Sequence, residues 1–291
     1  MRSMTKILIG FVLICGAGVA TAQDAANKTA EAAPVERVDP GVDAASQWIN
    51  RALFLRCLCA ENTLSFDAQG HPQGVVKTTD WTLAGVNVQK AMRKGPGEIE
   101  LDGVRVAIRY ATDRHEFDRH PQNDDKMHLT FADTGDGKAL ERALEAAFAT
   151  GIDRSLQLSL ADYWQHYFDP GMAWPPDALS GETIYTFETP AAAAKFNKTA
   201  SVAEVTHKAD PSYTGVAARD HVTGSVKVHM VVDPEGVPRR LAVVQPLGYG
   251  LDAKAAEAAA KYRFTAASLK GKPVASNVLL NQDFVVVVAP Q

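Results

Sequence analysis

The chain has 291 residues, of which 46% are hydrophobic and 22% charged, with a formal net charge of −4. These proportions fit a soluble globular protein of about two domains and exclude both a wholly disordered chain and a multi-span membrane protein. The acidic balance leaves no global basic field for nucleic acid, and three cysteines are too few for a disulfide-stapled scaffold.

Arg2 and Lys6 precede an apolar run over residues 7–15, and Ala20-Thr21-Ala22 forms a small-residue cleavage site that leaves Gln23 first. Residues 1–22 therefore read as a cleaved secretory signal, and export to the periplasm is expected. The rival reading is an inner-membrane anchor facing the periplasm, and membrane contact is expected only in that case. The apolar stretch has 16 residues, short of the ~20 that a spanning helix needs. Bulky Ile14 before Cys15 argues against a lipoprotein site.

Residues 23–45 are Ala-rich, polar and interrupted by Pro34 and Pro40, the composition of a flexible leader. A β-rich domain of unassigned function is expected over 46–187. Its strands are read at 53–60, 62–66, 81–88, 98–101, 104–110 and 127–131, with Asp102-Gly103 as a two-residue hairpin turn and residues 90–94 as a small basic hairpin tip. Cys57 and Cys59 fall in the first of these strands. Residues two apart on a strand point the same way, but their Cβ atoms lie too far apart for an easy bond. The pair reads as two small buried hydrophobes, with a redox or metal pair as the alternative.

Two helices close this domain. Leu140, Leu144 and Phe148 recur every four residues over 138–149, and Leu160, Tyr163, Trp164, Tyr167 and Phe168 follow helical spacing behind a Ser159 cap. The aromatic stripe reads as core rather than as a ligand pocket. Residues 188–210 read as a flexible linker.

Residues 211–291 carry the clearest pattern. After a short helix-compatible run at 215–220, Val226, Val228, Met230 and Val232 alternate with Lys227 and His229, which makes a half-buried strand. Asp233-Pro234-Glu235-Gly236 has Pro second and Gly fourth, as a type I turn prefers. A second strand follows at 239–245, then an alanine-rich helix over 251–262. A long strand at 277–288 places Val278, Leu280 and Phe284 on one face. The fold class of the whole is α+β. Its last part is a small antiparallel sheet with one packed helix, in the order strand, strand, helix, strand.

This last part resembles the C-terminal domain of TonB-type energy transducers. The resemblance rests on the glycine-started strand at 224–232, the D-x-x-G turn at 233–236, Gly248-Tyr249 before the helix, Tyr262-Arg263-Phe264, and Gly271-Lys272-Pro273-Val274. It covers residues 211–288. The region beginning Ala52-Leu53-Phe54-Leu55-Arg56 is also similar to the N-terminal region of TonB-family proteins of soil acidobacteria. The resemblance implies a periplasmic module that grips a short peptide of a TonB-dependent outer-membrane transporter, or of another envelope protein, by β-strand addition. Asn277, Val278, Leu279, Leu280, Asn281, Gln282, Asp283 and Phe284 are the expected docking edge, with Tyr213 as a further partner-binding residue. Asn277, Asn281 and Asp283 would keep the edge soluble while it is free. The alternative is an edge covered by the chain's own leader or by a twin subunit, which leaves a homodimer open.

Tyr213-Thr214 stands where the family has a tyrosine-proline pair, and the signal-like N-terminus and short linkers depart from the family's anchor helix and proline-rich rod. These departures set energy-coupled transport against a soluble periplasmic structural or interaction protein that reuses the fold.

Asp113 to His120, continuing to Asp124, Asp125 and His128, is the one dense ionisable cluster. His115 and His120 are five apart, neither the spacing of a helical zinc pair nor that of a strand pair. Alternating signs and Pro121-Gln122-Asn123 suit a solvated loop. There is no nucleophile elbow, P-loop, dinucleotide-binding glycine run or paired zinc motif. No enzymatic activity, catalytic residue, cofactor, metal or nucleic-acid partner is expected.

Overall fold

A computed structural model describes residues 39–187 and 189–285. The expected signal at 1–22, the leader up to residue 38, and positions 286–288 of the last expected strand lie outside the described residues.

Part of the expected leader is helical: α1 (Pro40–Ser46) starts where Asp39 accepts the N–H groups of Gly41 and Val42, with Pro40 in the first turn, where no N–H is needed. β1 (Leu53–Leu55) is shorter than the expected 53–60. Leu58 adopts a φ of 49° and the chain turns. That turn, in place of a strand, brings Cys57 and Cys59 to a Cα separation of 5.1 Å, and they form a disulfide. The reading of two unbonded buried hydrophobes is therefore corrected.

β2 (Thr63–Phe66) follows as expected. The next expected strand begins instead as a single 3₁₀ turn over Trp81–Leu83, capped by the Asp80 carboxylate on the Thr82 N–H at 2.9 Å. Three long strands come next, β3 (Gly85–Gly95), β4 (Glu98–Ala111) and β5 (Glu116–Ala132). The reversals fall at residues 96–97 and 112–115, so Asp102-Gly103 is not a turn but the middle of β4. A Cβ on Gly103 would lie 2.3 Å from the Asn87 carbonyl oxygen, so this glycine serves a close strand approach. The ionisable stretch expected as a loop is a tight turn running into β5.

α2 (Gly137–Ala147) forms as its periodicity predicts, and its chain continues into β6 (Phe148–Ala149). The second expected helix forms as α4 (Asp162–Phe168), and an unexpected short helix, α3 (Arg154–Ser159), precedes it across an extended Leu160. Ser159 Oγ donates to the Leu156 carbonyl and closes α3 instead of capping α4. The first sheet has the order β2-β5-β4-β3-β1-β6.

The segment expected as a flexible linker is structured over much of its length. β7 (Tyr185–Thr186) precedes it, and it contains α5 (Pro190–Phe196), capped by Thr189, and β8 (Glu204–His207). The C-terminal part keeps the expected order: α6 (Gly215–Arg219), β9 (Gly224–Val232), β10 (Pro238–Gln245) and α7 (Leu251–Ala259). Three short strands, β11 (Arg263–Thr265), β12 (Ala267–Leu269) and β13 (Lys272–Val274), then lead into β14 (Ser276–Phe284). The β9–β10 turn is fixed by buried Asp233, whose carboxylate accepts the N–H groups of Glu235 and Val237 and the Nε–H of Arg239.

One core lies between the first sheet and helices α1 and α2. A second core joins the two halves of the chain: Phe54, Trp81, Val106, Ile108 and Trp164 pack with Val226, Val228, Met230, Leu251 and Tyr262. Beyond Val106, β4 runs past its pairing with β3, and residues 247–249 take the vacant edge. The Tyr110 N–H donates to the Leu247 carbonyl at 3.0 Å, and the Tyr249 N–H to the Ile108 carbonyl at 2.8 Å. Gly248 permits this approach, since a Cβ there would lie 2.2 Å from the Ile108 oxygen. The described residues form one compact unit.

Candidate functional site

The small sheet has the order β10-β9-β14-β7. β14 pairs along its whole length with β9, from Ser276 opposite Val232 to Phe284 opposite Gly224. On its other side only Ser276 and Asn277 are paired, in parallel with Tyr185 and Thr186 of β7. From Val278 to Phe284 this edge carries no strand among the described residues, so a row of backbone donors and acceptors is open.

The two faces of β14 differ as strand alternation requires. Val278 and Leu280 pack against the core, and Gln282 and Phe284 are buried. Leu279, Asn281 and Asp283 face outward, with Leu279 59% exposed. Asn277 Nδ2 donates to Thr186 Oγ1 at 2.8 Å, and Ser225 Oγ donates to Asp283 Oδ1 at 2.5 Å. Tyr213 stands at the far end of the strand. Its ring meets Phe284 edge-on at 5.5 Å, and its hydroxyl donates to the Val222 carbonyl at 3.0 Å, so it supports the core face of β14.

A cavity of about 590 Å³ opens where the pairing of β7 stops. It is lined by Thr186, Phe187, Pro190, Val202, Ala203, His229, Asn277, Val278 and Leu279. His229 lies opposite Leu279 across the sheet. Burial holds its imidazole below the ordinary histidine range, partly opposed by a hydrogen bond with Asn277. The floor is therefore neutral at neutral pH, and no described lining residue carries a full charge. Beside the cavity, Tyr185 stacks on Phe187 at 5.7 Å, and Phe196, 63% exposed, meets both rings edge-on. An exposed apolar patch beside an open strand edge has the features of an interaction surface.

The structure thus places Asn277, Val278 and Leu279 at the cavity, and Leu280 to Phe284 along the open edge beyond it. The sequence reading missed Thr186, Phe187, Pro190, Val202 and Ala203, most of which lie in the low-hydrophobicity stretch taken for a linker. Its signal was Thr189-Pro190, a cap residue followed by a first-turn proline.

The ionisable cluster resolves into separate pairs. Arg114 pairs with Asp118, and Arg219 with Asp125 at 2.8 Å. The ligand atoms of Glu100, Asp102 and His128 lie within 4.8 Å of one another, close enough for one ion to bridge. His128 Nδ1 already sits 2.7 Å from Asp102, however, and the Lys94 ammonium pairs with Glu100.

Residues 209–286 match the family described as Gram-negative bacterial TonB protein C-terminal. The C-terminal part is a TonB C-terminal domain. A search of curated proteins finds no match. The matched region contains α6 and β9 to β14. Phe187, Pro190, Val202 and Ala203 lie outside the matched residues, so the cavity is walled on one side by the TonB domain and on the other by the segment before it. Among the described residues no helix is long and apolar enough to cross a membrane.

Proposed function

We propose that this TonB-like protein is exported to the periplasm and docks an extended segment of an outer-membrane transporter, or of another envelope protein, by strand addition to β14. The carrying observation is the edge left unpaired from Val278 to Phe284, next to a strand that already pairs there, β7. Main-chain hydrogen bonds would supply affinity, and neighbouring side chains selectivity. The role is one of binding, without catalysis, cofactor or metal. The test is a titration of the isotopically labelled mature chain with N-terminal transporter peptides. Amide shifts and slowed exchange at 278–284 are expected, and amides there that stay unmoved at millimolar peptide defeat the reading.

The core shared between the TonB domain and the preceding residues favours a second reading of the same site, a static envelope-binding protein without energy transduction. Intact mass of the protein from its host separates the two. A mass beginning at Gln23 supports the unanchored form, and one beginning at Met1 supports a membrane-coupled form.

A further inference from the structure

The TonB domain alone supplies half of the cavity beside β14. Phe187, Pro190, Val202 and Ala203, all N-terminal to the matched residues, supply the opposite wall. We propose that this wall is a selectivity element, restricting the docked segment to one that carries uncharged, bulky apolar side chains at alternate positions. The inference rests on the docking reading above and specifies its ligand.

Three observations carry it. First, β7 ends at Thr186 beside Asn277, and the cavity opens over the next positions of the edge, Val278 and Leu279. A segment continuing the line of β7 along β14 would pass this wall. Second, successive strand residues point to opposite faces, so residues i and i+2 of that segment would share the cavity. About 590 Å³ accommodates more than one large side chain. Third, charge complementarity selects the chemistry. The described lining offers no ammonium, guanidinium or carboxylate, and the His229 imidazole is kept neutral by burial. A charged side chain placed there would lose hydration without gaining a counter-ion.

The probe is an acetylated, amidated heptapeptide of serine and threonine with valine at positions 3 and 5, compared with the same peptide carrying aspartate at both positions. Both are titrated into the labelled mature chain, with the amides of 278–284 as the readout. The valine peptide is expected to bind at least tenfold more tightly than the aspartate peptide. Ala203→Trp, which fills the cavity, is expected to abolish that preference while leaving the amide dispersion of the protein intact. If Ala203→Trp disturbs folding, Val202→Lys serves the same purpose: it supplies the missing counter-ion, and is expected to reverse or erase the preference. Equal binding of the two peptides at 278–284, unaltered by either variant, would overturn the selectivity wall and leave the docking reading standing. Absence of any shift at 278–284 with either peptide or with transporter peptides would remove both.

Discussion

Asp252 is fully buried at the start of α7, and its two carboxylate oxygens accept the N–H groups of Leu247 at 2.8 Å and Gly248 at 2.7 Å. Asp80 is enclosed nearby by Thr82, Tyr163 and Trp164, and takes the Trp164 Nε1–H at 2.7 Å. Neither carboxylate pairs with a cation among the described residues. Burial first, and the charge of Asp80 second, push Asp252 up to about 8; burial also raises Asp80. An acid whose pKa is higher in the folded than in the unfolded chain keeps its proton only on folding. Its contribution to stability is therefore greatest below the ordinary carboxylate range and falls as pH rises toward 8, with a limiting slope of about 1.4 kcal/mol per pH unit. Urea unfolding between pH 5 and 9 is expected to show declining stability up to about pH 8. Asp252→Asn should flatten that decline, at a cost of about 1–3 kcal/mol at pH 5, because its amide nitrogen would face one of the two backbone N–H groups. A variant with the wild-type slope rejects Asp252 as its source.

The connection from β1 to β2 shows how a single side chain can define an element. Arg105, on β4 and 5% exposed, spends four of its five donors there and the fifth on Leu83 of the 3₁₀ turn. Nε donates to Asn62 Oδ1, and the two terminal nitrogens donate to the carbonyls of Cys59, Leu83, Ala60 and Glu61. Lysine has three donors and no planar fork, so Arg105→Lys leaves buried carbonyls unpaired and is expected to cost about 2–4 kcal/mol. A shift in the urea midpoint worth under half a kcal/mol would show that the connection holds itself. None of this was legible beforehand, since the acceptors are scattered over a loop that no period marks and a separate 3₁₀ turn. Legibility followed locality. β9, β10, α7 and β14 were readable because each buries one face against one neighbour and so imprints its period on the sequence. β4 misled because both of its faces are covered through Val104 to Ile108, and Gly103 serves a neighbouring strand instead of a turn. At the site, the alternation of β14 disclosed the edge. The wall facing it was hidden because Phe187, Val202 and Ala203 lie in irregular chain beside short strands and Pro190 opens a short helix, too few residues in any one element to show a period.

Whether the TonB domain is a separable bead or one side of a larger fold decides how a pull or a docked peptide would be felt across the molecule. The packing argues for the latter. Trp81, 2% exposed, is surrounded by Phe54, Phe117, Trp164 and Phe168 at centroid distances of 5.0–5.9 Å, and lies in the same core as Val226, Val228 and Met230 of β9. Cutting the chain between the halves would expose that face of β9 and break the backbone pairing of residues 247–249 with β4. Removing the indole creates a large cavity at the seam, and Trp81→Ala is expected to lower stability by about 3–5 kcal/mol. The test of coupling is where the loss is felt. Native-state hydrogen exchange should show β9 and β14 losing protection together with β4, because a shared core opens as one cooperative unit. If β9 and β14 kept their wild-type protection while β4 weakened, the TonB domain would be stable by itself. The seam would then be a docking contact between independent parts, and force or ligand binding at β14 would have no structural route to the first sheet.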